Sequence, residues 1–259
     1  MEKVNVQVLV ASMNQKDHSL LDKMNIESDV IVGNQCMCNS VESFEYKGHD
    51  AVYLNFNERG VGLNRNNALM RATGDICLFA DDDMVYVNGY AIKLQEAYKE
   101  YPDADVIIFN LIEKKKTRYI IQKPHRVTWY NYLRYGTARI SVKLNSIKRH
   151  AIYFNQCFGG GTEHGHGEDN LFLTSCLKNG LKIYAVPLEL AELTEEREST
   201  WNHGYDEKYF RDQGALYYAI SKRIWKILCF QDAVRHACKY GSAPFECYRK
   251  MVRDTQNEG

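Results

Sequence analysis

Ile76-Cys77-Leu78-Phe79-Ala80-Asp81-Asp82-Asp83 is the stretch whose reading decides the fold. Five consecutive apolar residues have the length and uniform character of a strand covered on both faces, as strands of parallel sheets are. The three carboxylates that follow repel one another, and strand formation does not require them. A hard cation such as Mg2+ or Mn2+, held by one or two of them and completed by phosphate oxygens and water, relieves that repulsion. A solvated acidic turn or a helix start is the plainer alternative.

Four comparable runs surround this strand, at residues 4–12, 29–33, 51–55 and 106–110. Between the third run and Ile76, residues 62–72 place Leu63, Asn67, Ala68 and Met70 as an amphipathic helix stopped by Gly74. A second helix is predicted over residues 87–101, ending before Pro102. The first 110 residues therefore read as a βαβαβ sheet, in which ligands gather at the carboxyl ends of the strands.

Beyond residue 110 the pattern is less regular. Glu113-Lys114-Lys115-Lys116 reads as a solvated turn. Trp129, Tyr130, Tyr132 and Tyr135 read as packing residues, with an exposed member able to stack on a sugar ring. Phe158 opens the loop Gly159-Gly160-Gly161-Thr162-Glu163-His164-Gly165-His166-Gly167-Glu168-Asp169, whose five glycines let backbone approach a ligand closely. A helix is predicted over 169–179, ended by Gly180. Glu168 and Asp169 thus arrive at a helix start, where a carboxylate is held in place and can take a proton from a hydroxyl. N-capping is the alternative role.

The chain has 259 residues, 45% of them hydrophobic, with 33 basic residues matching 33 acidic ones. Zero formal charge argues against a general nucleic-acid binder, which needs an excess of Lys and Arg. The N-terminus carries no secretory signal pattern and no window is apolar enough to span a membrane, so a cytoplasmic location is expected. The eight cysteines are scattered without a C-x-x-C pair and read as free thiols; Cys36 and Cys38 alone make a weak metal site. From Trp201 onward aromatic and basic residues interleave in a helical pattern. That tail reads either as a packed appendage with snorkelling Lys and Arg or as a peripheral contact with an anionic membrane at the inner face of the cell.

The run Asn57-Glu58-Arg59-Gly60-Val61-Gly62-Leu63-Asn64-Arg65-Asn66-Asn67, the strand ending in Asp81-Asp82-Asp83, Gly167-Glu168-Asp169 and the later Thr200-Trp201 together resemble the family-2, GT-A-fold bacterial glycosyltransferases. The resemblance covers most of residues 1 to 220. It implies an α/β GT-A fold: a Rossmann-like, mostly parallel central sheet flanked by helices. Residues 1–204 would form the nucleotide-sugar-binding and catalytic domain, and residues 205–259 a helical basic and aromatic appendage. It also implies a nucleotide-sugar donor, most simply a UDP-hexose, a Mn2+ or Mg2+ cofactor, inversion at the anomeric carbon and a glycan or lipid-linked glycan acceptor.

Carried over by residue, the resemblance makes Asp83 the metal ligand, with Asp81 or Asp82 facing the ribose or a metal-bound water. Asp81 and His203 complete the candidate metal set. Asp169 becomes the catalytic base and Glu168 shapes the acceptor site. Ser12, Asn14, Asn34 and Gln35 fall where the family holds base and ribose, although the family's frequent Asp after the second strand is missing. Arg65 is expected near the uracil or diphosphate, Arg59 is a weaker candidate, and Trp201 would cover donor or acceptor or pack in the core. Two other readings compete: a metal-dependent hydrolase using the Asp triplet with His164, His166 and Glu168, and an inactive sugar-nucleotide-binding module.

Overall fold

The computed structural model describes residues 4–114, 118–194 and 204–253. In chain order the elements are β1 (Val6–Met13), α1 (Leu20–Lys23), β2 (Asp29–Gln35), β3 (Ser40–Tyr46), β4 (His49–Phe56), α2 (Val61–Arg71), β5 (Ile76–Asp81), β6 (Met84–Tyr86) and α3 (Tyr90–Glu100). There follow β7 (Val106–Ile112), β8 (His125–Val127), β9 (Ile140–Lys143), α4 (Leu144–Arg149), α5 (Glu168–Lys178), β10 (Ile183–Leu193), α6 (Glu207–Ile220), α7 (Trp225–Tyr240) and α8 (Pro244–Arg253).

One sheet runs in the order β3-β4-β2-β1-β5-β9-β7-β10-β6, with β8 paired to β10. Its centre, β4-β2-β1-β5, is parallel throughout. The apolar runs produce this centre because alternate residues face opposite layers. Val8, Val10, Val30, Val32 and Leu78 pack toward α1 and α3, in a cluster with Leu20, Leu21 and Leu94. Leu9, Ile31, Cys77 and Phe79 pack the other way, with Leu69 of α2 and Phe172 of α5. Both faces are therefore covered, as the uniform apolarity of Ile76–Ala80 predicts.

The flanks depart from the βαβαβ expectation. β7 runs in the same direction as β5 but is not its neighbour, because the short β9 lies antiparallel between them. β3 adds an antiparallel edge to β4, with a largely exposed side. The predicted helices are present, shifted by one to three residues at their ends.

Helices α6, α7 and α8 share a third apolar cluster with Phe158 and Leu171, so they pack against the glycine loop and α5. Gly167 makes that junction possible: its φ is +107°, and a Cβ there would stand 2.8 Å from Leu216 Cδ1. Among the described residues no helix is long and apolar enough to cross a membrane.

Candidate active site

The parallel register brings the ends of three strands level, pairing Ser12 with Asn34, Met13 with Gln35 and Ala11 with Asp81. At the end of β1 the chain turns through Asn14, an exposed residue at φ 54°, a conformation that Asn tolerates better than most residues. Asn14 N–H donates to Gln35 O at 3.0 Å. Asn34 is buried and fully engaged: its Oδ1 accepts from Gln15 N–H at 2.9 Å, and its Nδ2 donates to Gln15 O and Asn55 Oδ1. Ser12 Oγ donates to Gly33 O, and Gln35 Nε2 to Gly60 O. Of the four residues expected to meet base and ribose, Asn14 alone is exposed; Ser12, Asn34 and Gln35 form a buried, hydrogen-bonded floor beneath it.

The three aspartates have three different surroundings. Asp81 Oδ1 pairs with Arg65 at 2.7 Å. Asp82 Oδ2 accepts from Gln15 Nε2 at 3.1 Å. Asp83 Oδ1 is buried with no hydrogen-bond partner, while Asp83 O accepts from both N–H and Oγ1 of Thr194. Burial, then the charges of Asp81 and Asp82, push the Asp83 carboxyl up to about 6. An orphaned, buried carboxylate oxygen crowded by two neighbouring acids has the chemistry of a hard-cation ligand. Among the described residues no group of three or more His, Cys, Asp or Glu side chains is preassembled for a metal. His203, Thr200 and Trp201 lie outside the described residues.

Arg65, expected near the uracil or diphosphate, is held by two carboxylates. It is 5% exposed, donates through one guanidinium nitrogen to Asp81 and through the other to Glu168 Oε1 at 2.9 Å, and lies 5.5 Å over the Phe154 ring. The guanidinium thus joins the end of β5 to the start of α5, although Arg65 and Glu168 are 103 residues apart in sequence. Arg59 is exposed and its guanidinium donates to the carbonyl of Glu58.

Asp169 follows Glu168 at the first turn of α5, its Oδ1 accepting from Asn170 N–H at 2.7 Å. Its Oδ2 lies against Gly136, where a Cβ would stand 3.4 Å away. Burial and the neighbouring Glu168 charge hold its carboxyl well above the usual carboxylate range, and the more distant Arg65 only partly offsets them. Gly159 permits this arrangement: at φ +101°, a Cβ would meet Val61 and Glu168 below 3 Å.

Glu168 and Asp169 form part of the wall of a cavity of about 850 Å3 between the 129–136 segment and helices α6 and α7. Trp129 and Tyr130 line it and are exposed, whereas Tyr132 and Tyr135 are buried with hydroxyl partners at Thr174 and His125. The two loop histidines serve packing. His164 stacks on Phe158 and pairs with Asp212, and His166 stacks on Tyr209 and bonds Gln213. Among the described residues neither joins the aspartate triplet in a metal-holding group, as the hydrolase reading requires.

Sequence reasoning missed Gln15, which tethers Asp82, and Thr137, which stands 3.4 Å from Arg65. Gln15 directly follows Asn14 at a strand end, a position that carries the signal; Thr137 offers none. The chain's residues 20–159 match the profile of glycosyl transferase family 2. Among solved structures, S. aureus TarS 1–349 in complex with UDP-GlcNAc is 16% identical, with a TM-score of 0.62 over 98% of this chain and 92% of that one. The S. aureus TarS structure is likewise 16% identical, with a TM-score of 0.62 over 96% of this chain and 55% of that one. At this identity the likeness establishes the fold, a mixed α/β GT-A architecture. No curated protein matches the chain.

Proposed function

Because the chain belongs to glycosyl transferase family 2, we propose that it moves a hexose from a UDP-sugar to a hydroxyl of a glycan or lipid-linked glycan, in one displacement that inverts the anomeric carbon. The observation that carries this reading is the buried Arg65, which ties Asp81 of the donor-side strand to Glu168 beside Asp169. One cation thereby holds the two halves of a transfer site at a common crevice. The UDP-GlcNAc bound to TarS supports the choice of donor.

Each residue's part follows from its surroundings. Asn14 meets the base or ribose at the exposed end of β1, over the floor of Ser12, Asn34 and Gln35. Asp82, steadied by Gln15, faces the ribose side. Asp83 with Asp81, and His203 as a third ligand, would hold Mn2+ or Mg2+. When bound, that cation supplies neutralisation of the charge developing on the leaving diphosphate. Asp169 accepts the proton of the acceptor hydroxyl as its oxygen bonds to the anomeric carbon and the bond to the diphosphate breaks. Its raised pKa suits a base that must take a proton near neutral pH. Glu168, paired with Arg65, orients the start of α5, and Trp129 or Tyr130 offers a face to an acceptor sugar.

A panel of UDP- and GDP-sugars, with Mn2+ or with chelator, tests the reading by donor binding and donor hydrolysis on the wild type and on Asp83→Ala. Metal-dependent preference for one UDP-sugar, lost in Asp83→Ala, is the expected result. Failure of every nucleotide sugar to bind in the presence of metal overturns it.

A further inference from the structure

Helix α7 presents three distinct faces. Trp225, Cys229, Ala233 and Tyr240 are buried in the cluster shared with α6 and α8. Leu228, Gln231, Arg235 and Lys239 line the cavity that contains Asp169. On the remaining side Ile227, Phe230 and Val234 are 65%, 55% and 53% exposed. At about 100° per residue Ile227 and Val234 stand opposite the buried stripe and Phe230 lies roughly a quarter turn from it. Ile224 precedes them and Phe245 of α8 adds to them, both exposed, and Phe230 meets the edge of Tyr248 at 5.9 Å. A surface helix ordinarily turns its polar side outward; here apolar residues occupy the side facing water.

The charge around this stripe identifies what covers it. Residues 221–253 contain eight Lys and Arg against two acidic residues, in a chain that is neutral overall. One of those acids, Asp232, is buried and occupied by Tyr240 and His236. Lys222, Arg223 and Lys226 are exposed at the start of the stripe, and Arg235 and Lys239 flank its cavity side. A second copy of the same face would bring like charges together. An anionic bilayer satisfies both features, taking Ile, Phe and Val into the boundary between headgroups and acyl chains while Lys and Arg meet lipid phosphates.

We propose that the Ile227–Phe230–Val234 face of α7, with Phe245 and the flanking basic residues, docks on an anionic membrane surface. The cavity wall lies a fraction of a turn from this stripe on the same helix, so docking holds the cavity beside the lipid headgroups. An acceptor carried on a lipid would then be presented to Asp169 from the membrane. The docking does not rest on the transferase reading, because vesicle binding is measured without turnover.

The test is co-sedimentation of the full chain with vesicles of phosphatidylcholine alone or of phosphatidylcholine with phosphatidylglycerol, at low and high salt. Binding to the anionic vesicles, weakened by salt and absent from the neutral ones, is expected. The combined variant Ile227→Glu, Phe230→Glu and Val234→Glu should bind them at least about tenfold more weakly, with its melting temperature and donor hydrolysis in solution preserved. Lys222→Gln with Arg223→Gln and Lys226→Gln, which leaves the apolar stripe intact, should lose most of the salt-sensitive part. Absence of wild-type binding to anionic vesicles, or equal binding by the triple-Glu variant, overturns the proposal. A concentration-dependent dimer abolished by Phe230→Glu also overturns it, assigning the face to a second copy of the chain.

Discussion

Replacing Arg65 by Met removes the cation that joins β5 to α5 while keeping most of the buried stem volume. Arg65 is 5% exposed and its partners differ in access to water: the Asp81 side chain is 41% exposed and that of Glu168 14%. Asp81 can therefore rehydrate, whereas Glu168 is left largely buried beside Asp169. Breaking a fully buried pair costs about 3–5 kcal/mol; discounting for the exposed Asp81, the expected loss is about 2–4 kcal/mol. At about 2–4 °C per kcal/mol for a domain of this size, the melting temperature should fall by roughly 4–16 °C. Calorimetry and urea unfolding measure it. Arg65→Lys keeps the charge but not the two-pronged geometry and should fall between wild type and Arg65→Met. Adding Glu168→Gln to Arg65→Met should recover part of the loss, because the stranded charge is gone. Additive losses in that double variant, or a change under about 0.5 kcal/mol in Arg65→Met, would refute the bridging role.

Four further outcomes are expected. Asp169→Asn should lower kcat by about 10²–10⁴-fold with donor affinity retained, measured by steady-state turnover and calorimetric titration; collapse of donor binding instead would remove Asp169 from the base role. Because Asp169 works as a base only when ionised and its pKa is raised, kcat/KM should climb with pH along a limb lying above the ordinary carboxylate range. The same group favours folding most when protonated, and that contribution disappears as pH rises through its folded pKa, so Asp169→Asn should melt higher than wild type at neutral pH. Burial pushes Asp212 up, but bonds from His164, Lys208 and Gly165 N–H more than offset it and leave the carboxyl at about 2. Its contribution, about 2 kcal/mol above pH 4, should be lost as pH falls toward 2, and urea midpoints against pH should show a smaller acid loss in Asp212→Asn.

The parallel centre of the sheet was legible because burial on both faces demands unbroken apolar runs, and Ile76–Ala80 is such a run ending in charge. The α2 and α5 helices were legible from their spacing and from the glycines that stop them. β9 was not: Ile140–Lys143 is four residues long, too short for a periodic signal, and its insertion between β5 and β7 is a matter of pairing across the sheet. Ser40–Tyr46 escaped for a related reason, since an exposed antiparallel edge carries little apolar pattern.

The candidate site divides along the same line. Residue types and order along the chain were enough to single out the aspartate triplet and the Glu168-Asp169 pair, because hard cations and proton transfer require particular functional groups wherever the chain carries them; Arg65 came only from the family resemblance. Which atoms those groups meet was decided only in three dimensions. Arg65 is engaged by Asp81 and Glu168, and Asn34 holds the Gln15 turn. His164 and His166, which the sequence left as ordinary loop residues or ligands, are held by α6. A polar side chain bonds whichever partner folding brings within about 3 Å, and that partner, often a hundred residues away, is set by how strands register and helices pack rather than by its neighbours in sequence.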